Sequence, residues 1–255
     1  MNHQMRPKVL AVSVVLAILP SLLYADIGAL KAWEMQQLSK YQDDDFYDVN
    51  QDIATSMLKA IAQDPDSFHY DFPDLQKAGF LQIHYSPDKK LKFYTFDVGH
   101  GGTMAESDNY VQYYVTKNDA ANNSTNKILK FDQFTAGSHI YEVKQVNIQK
   151  QPVYLVASYY KGSNCNGIHA LRAVQLGPQQ LLKSYVFQAK NKSNHEITLE
   201  YDCSKIDSFE HEADYFRLNA TTVDVLLLDQ NNIPQNKYLR YRLDKKAFVY
   251  TGIVK

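Results

Sequence analysis

The chain has 255 residues, with 27 Lys and Arg against 28 Asp and Glu, a formal charge of −1. That near-balance excludes a basic field for nucleic acid and a polybasic surface for anionic lipid. The 19 tyrosines suit half-buried strands, where the ring packs while the hydroxyl stays wet.

The first residues read as a bacterial-style secretory signal. Arg6 and Lys8 make a short basic region, and Val9 to Leu19 is an apolar run broken by Pro20 and Ser21. Small Ala25 fits a peptidase cleft, so cleavage is expected after it, with residues 1–25 removed. The run is too short to cross roughly 30 Å of hydrocarbon, which takes about 20 apolar residues. No cysteine stands directly after the cut, where Asp26 lies, and no later stretch is long and apolar enough to span. The expectation is a soluble periplasmic or secreted protein with no stable membrane span after signal removal. In an oxidising compartment the two cysteines, Cys165 and Cys203, are expected to pair. Closing a loop of about 39 residues removes roughly 4 kcal/mol of unfolded-state entropy in the simplest model.

Residues 26–80 read as a helical segment packing on a β body. Leu30, Trp33, Leu38 and Tyr41 recur at helical spacing, with Lys31, Glu34, Gln37 and Lys40 on the other faces. After the acid run Asp43 to Asp45, a second helix is expected from an N-cap near Asn50. Its apolar face is Ile53, Ala54, Met57, Leu58 and Ile61, and Asp64-Pro65-Asp66 ends it. A short third turn is expected with Asp71 as cap and Gly79 as terminator.

From Leu81 to the C-terminus, 81–255, the period changes to two. Ile197, Leu199 and Tyr201 alternate with Glu196, Thr198 and Glu200; Leu239, Tyr241 and Leu243 alternate with Arg240 and Arg242; Val111, Tyr113 and Val115 share a face. Val153 to Tyr159 is apolar on both faces, as a central strand requires. Further strands are expected at 91–96, 127–131, 139–147, 168–176, 181–187, 221–229 and 246–251. The fold class is therefore mainly β, an antiparallel sandwich, barrel or propeller-like array with an N-terminal helical segment, α+β overall. No period near 40 residues is visible, which weighs against a regular propeller.

The segment with the most distinctive chemistry is Ser86-Pro-Asp-Lys-Lys-Leu-Lys-Phe-Tyr-Thr-Phe-Asp97-Val-Gly99-His100-Gly101-Gly102-Thr103-Met104. A turn feeds a strand that ends in a glycine-rich loop. Gly99, Gly101, Gly102 and Thr103 are candidate ligand-binding residues, because successive backbone amides can form an anion-binding nest. Asp97 and His100 are candidate catalytic residues at the strand end. The competing reading is a wide turn whose Asp and Thr tie down backbone groups. A His-Gly-Gly oxyanion hole needs a nucleophile elbow, and no G-x-S-x-G exists. Glu210-His-Glu-Ala-Asp214 lacks the H-E-x-x-H spacing. Asp48 to Asp52 opens like an EF-hand loop, but Ile53 and Lys59 stand where glycine and the bidentate glutamate belong. No metal and no cofactor are expected.

The stretch SPDKKLKFYTFDVGHGGTM, with a later aromatic strand and the Ser163-Asn-Cys-Asn-Gly167 loop, resembles a group of uncharacterised exported bacterial proteins sharing an S-P-D turn, a strand and a G-x-G-G-T-M loop. The resemblance covers mainly residues 86–104, more loosely to about 175. It implies export and a β-rich body, and no particular activity. Phe96 stands where that pattern carries a tryptophan.

Two functional readings follow. One is a non-enzymatic periplasmic binding, inhibitor or immunity-type protein, whose partner is another envelope protein or a toxin. The alternative is a hydrolase or small-ligand-binding enzyme using the Asp97/His100 loop.

Overall fold

The computed structural model describes residues 27–40, 46–97, 106–119, 124–163, 166–202 and 215–255. Helices α1 (Ile27–Lys40) and α2 (Phe46–Gln63) lead, then a 3-10 turn (Pro65–Phe68) and a short α3 (Pro73–Lys77). α2 starts about a turn before the expected cap, so Asn50 lies inside it. Its face of Ile53, Ala54, Met57 and Ile61 is buried, as the spacing predicts. Asp64 stops it: its carboxylate accepts the Asp66 amide at 2.9 Å, and Pro65 opens the 3-10 turn.

α1 departs from its predicted face. Glu34 and Gln37, expected on outward faces, are buried, while Met35 is exposed. The cause lies about 40 residues away in α3. Phe72, its N-cap residue, is left-handed with φ 48° and makes no side-chain cap. The first amides of α3 would be orphaned. Glu34 reaches across and accepts Asp74 N at 2.9 Å and Leu75 N at 2.8 Å on Oε1, while the Tyr70 hydroxyl donates to Oε2. Asp71, the expected cap, instead accepts the Tyr85 hydroxyl at 2.5 Å. Gly79, at φ 85°, follows the helix in the left-handed region that favours glycine.

Among the described residues the strands form three sheets. The first is β1 (Leu81–Tyr85), β2 (Leu91–Asp97), β3 (Ser107–Asp119) and β4 (Ser124–Thr135), in that order. The second uses β5 (His139–Ile148), β6 (Gln151–Lys161), β7 (Asn166–Leu176), β8 (Leu181–Lys183) and, further along the chain, β11 (Glu196–Asp202). Its order is β11-β7-β6-β5, with β8 on β7. The third contains β9 (Phe187–Ala189), β10 (Lys192–Asn194), β12 (Phe216–Leu218), β13 (Thr222–Leu228), β14 (Pro234–Leu243) and β15 (Phe248–Val254), ordered β10-β9-β15-β14-β13-β12. Pairing is antiparallel except for β9 with β15.

The protein is thus mostly β in antiparallel sheets, with its few helices mainly N-terminal, and the sheets stack as a sandwich. The expected strand 181–187 is in fact two. Ser184 N donates to Ala173 O in the second sheet, and Val186 O accepts Phe248 N from the third. The chain crosses between layers at this point.

Three apolar clusters bind the layers. Helices and first sheet share Ile53, Met57, Phe72, Leu75, Tyr94 and Phe96. First and second sheets share Phe93, Val111, Tyr113, Tyr154 and Val156. Second and third share Leu155, Ala157, Leu171, Phe187, Val225 and Phe248. β6 therefore feeds alternate residues into two cores, which is why its sequence is apolar on both faces. Each such side chain fully buried is worth roughly 1.5–3 kcal/mol.

β2 is covered on both faces too, and carries Lys92, fully buried. Its Nζ donates to Ser67 O at 2.8 Å and Tyr70 O at 2.5 Å, closing the end of the 3-10 turn. It lies 3.8 Å from Asp71 Oδ1 and 4.9 Å from the Tyr94 ring centre. Burial pulls the ammonium down to about 7, against the opposing pull of Asp71.

The Ser-Pro-Asp turn also has a structural role. Ser86 Oγ accepts the amides of Lys90 at 3.1 Å and Leu91 at 3.0 Å, and donates to Asp88 at 2.8 Å. Tyr154 of β6 donates to the other Asp88 oxygen at 2.9 Å, which pins the turn to the second sheet. Burial raises the Asp88 pKa, but these hydrogen bonds outweigh it and hold the carboxyl below its usual range.

Candidate functional site

Register builds the base of the site. Thr95 of β2 pairs with Asn109 of β3, which pairs with Thr135 of β4, so the three lie in one row. Thr95 Oγ1 donates to Asn109 Oδ1 at 2.6 Å; Asn109 Nδ2 donates to Thr135 Oγ1 at 2.7 Å and to the Ser138 carbonyl. Ser138 and Thr135 share a hydroxyl contact at 3.0 Å. A buried network satisfied this fully rigidifies its surroundings. It fastens the turn between β4 and β5 to the first sheet, and so delivers His139, the first residue of β5, beside Asp97, the last of β2.

Asp97 and His139 line a cavity of about 300 Å³ together with Thr95, Ser107, Tyr159 and Lys161. Burial pushes the His139 imidazole below its usual range and the Asp97 carboxylate draws it partly back. His84 lies close enough to His139 to feel its charge. Burial chiefly, then His139, lowers its pKa, while a hydrogen bond to the Ile140 backbone opposes them. The His84 Nε2 atom is buried without a hydrogen-bond partner. The cavity thus offers a carboxylate, an ammonium, a neutral imidazole and a phenol. Its flanking hydroxyls on Thr95 and Ser138 are engaged with Asn109 and Thr135, so neither is held by an imidazole as an activated nucleophile is.

Beside this cavity, His169 lies in a group of tyrosines. Its ring stacks on Tyr215 at 3.6 Å and lies 4.6 Å from Tyr159, and the Tyr159 and Tyr201 hydroxyls meet at 2.7 Å. Burial lowers the His169 pKa to about 4, so the ring is neutral near pH 7. Gly167 makes room: a Cβ there would fall 2.6 Å from the Tyr159 ring and 2.7 Å from the Tyr201 ring. Gly167→Ala is expected to cost about 1–3 kcal/mol by overpacking, read as a lower urea midpoint with unchanged slope.

Of the residues singled out in sequence, Asp97 is placed in the cavity. His100, Gly99, Gly101, Gly102 and Thr103 lie outside the described residues, as do Cys165, Cys203, residues 1–25 and 210–214. Residues 48–52 are part of α2. His139, Lys161 and Tyr159 were not singled out, because they come from the second sheet and no local pattern ties them to Asp97. Among the described residues, no group of three His, Cys, Asp or Glu side chains could hold a metal ion, and no helix is long and apolar enough to cross a membrane. No family model, no curated protein and no solved structure matches the chain.

Proposed function

We propose that this is an exported, non-enzymatic binding protein, and that the cavity headed by Asp97 and His139 recognises a small polar ligand. The observation that carries the reading is the convergence of Asp97 and Lys161, of opposite sign, on one cavity whose Thr95 hydroxyl is committed to Asn109. Such a lining suits a ligand with a cationic or hydroxyl donor at one end and a carboxylate or carbonyl at the other.

Export is supported by the three-part N-terminal pattern. The disulfide is supported by register. The β7/β11 ladder runs out to Asn166 opposite Asp202, and Cys165 and Cys203 are the next residues of each chain. Intact mass of the periplasmic fraction tests both points. The expected species begins at Asp26 and is two hydrogens lighter than the dithiol. A species that keeps residues 1–25 with both thiols free would refute them.

A second reading, a hydrolase, draws on the Asp97 carboxylate acting on the His139 imidazole, the arrangement of a general base. It requires that His139→Gln abolish turnover in an ester and amide panel without lowering the melting temperature. A wild type inert on that panel rejects it.

A further inference from the structure

β4 closes one side of the first sheet. Among the described residues it pairs with β3 alone. Lys127, Ile128, Lys130, Asp132 and Gln133 along it are exposed. An edge strand of 12 residues presents a row of amides and carbonyls that can template a further strand. We infer that this edge pairs antiparallel with β4 of a second copy, about a two-fold axis at Phe131, so that the first sheet runs on across a dimer. The inference goes beyond the function proposed above and does not rest on it.

The charges and apolar residues of β4 select the partner and the register. Ile128, Lys130 and Asp132 stand opposite Val115, Tyr113 and Val111 of β3, which face the second sheet, and Phe134 packs on that side too. Leu129 and Phe131 alternate with them toward the helical layer, where Phe131 stacks on Tyr110 at 5.3 Å. A two-fold axis perpendicular to the sheet keeps each face on its own side, so one residue of β4 must stand opposite its own copy. An axis at Lys130 or Asp132 sets like charges against each other, which is destabilising. An axis at Leu129 sets Lys127 against the partner's Phe131 and Ile128 against the partner's Lys130. With the axis at Phe131, Lys130 meets the partner's Asp132 on both sides of it, Phe131 meets the partner's Phe131, and Ile128 reaches the partner's Phe134. Phe134 is the extra residue of a β-bulge, so the regular ladder ends there. The Tyr113 hydroxyl donates to Asp132 Oδ2 and fixes that carboxylate on the second-sheet side. A lysine on an exposed edge ordinarily guards against pairing. In this register Lys130 is answered by the partner's Asp132, and the edge is complementary to itself.

The test is sedimentation velocity of the protein from roughly 1 µM to 1 mM. The wild type is expected to pass from monomer to dimer across that range. Lys130→Glu is expected to weaken dimerisation about tenfold or more, because it faces the partner's Asp132 twice. Asp132→Lys should weaken it similarly. An equal mixture of these two variants is expected to dimerise again, since every facing pair then carries opposite charges. Carbodiimide coupling of the wild type is expected to join Lys130 of one copy to Asp132 of the other by an amide bond, and remains informative where Asp132→Lys fails to fold. A wild type that stays monomeric throughout, alone or carrying an unrelated chain, would overturn the inference. So would a dimer unaffected by Lys130→Glu, or a coupled dimer joined only at other residues. Neither Lys130 nor Asp132 lines the Asp97 cavity, so loss of the dimer and loss of ligand there are read separately.

Discussion

Glu34→Ala is expected to lower the unfolding free energy by about 3 to 5 kcal/mol, measured by urea denaturation at neutral pH. Three donors depend on this carboxylate: the Asp74 and Leu75 amides and the Tyr70 hydroxyl. Glu34 and Leu75 are fully buried, so water is poorly placed to replace the lost acceptor. Each buried donor left unmet costs about 1–3 kcal/mol. The change also opens a void beside Tyr70, whose ring packs 4.8 Å from that of Phe72. Glu34→Gln keeps one oxygen for the two amides and should cost less than half as much. A loss below about 1 kcal/mol for the alanine variant would show that α3 does not depend on this trans cap.

The second large effect is a pH dependence centred on Lys92. Its folded-state pKa is about 7, against about 10.4 in an unfolded chain. Between those values the unfolded state binds more protons than the folded state, so stability rises with pH through that window. Below it both states are protonated and the full cost of burying the charge is present. The groups facing Lys92 do not cancel this. Burial raises Tyr70, Tyr85 and Tyr94 well above their usual range, so all three stay protonated there. The difference in unfolding free energy between wild type and Lys92→Met should therefore move in favour of wild type by about 3 kcal/mol from about pH 7 to about pH 9.5. A difference that stays flat or falls would show that the ammonium is not desolvated by its aromatic surroundings.

These two residues also mark where the sequence stops being readable. α2 and most strands are legible because local periodicity reports burial directly: Ile53, Met57 and Ile61 in the helix, Leu239, Tyr241 and Leu243 in β14. Glu34 breaks the pattern because its partner, α3, is distant in sequence and lacks its own cap. Lys92 looks like a solvent-facing strand residue until the helical layer covers β2. The choice among sandwich, barrel and propeller depended on the crossing at Ser184 to Val186, three residues that no periodicity marks. In the site, Asp97 stood out because a glycine-rich segment follows its strand. His139 and Lys161 did not, because they come from another sheet. Asn109 and Ser138 draw the β4–β5 turn onto the first sheet, and tertiary contacts of this kind set an imidazole beside the carboxylate.

We propose that Asp97 and His139 head a ligand-binding cavity. Native mass spectrometry of the protein purified from its native host, wild type beside Asp97→Asn, tests it most directly. The expected result is a small-molecule adduct on the wild type that is lost or strongly depleted in the variant, with both proteins melting at similar temperatures. A wild type carrying no adduct, or an adduct retained undiminished by Asp97→Asn, would contradict it.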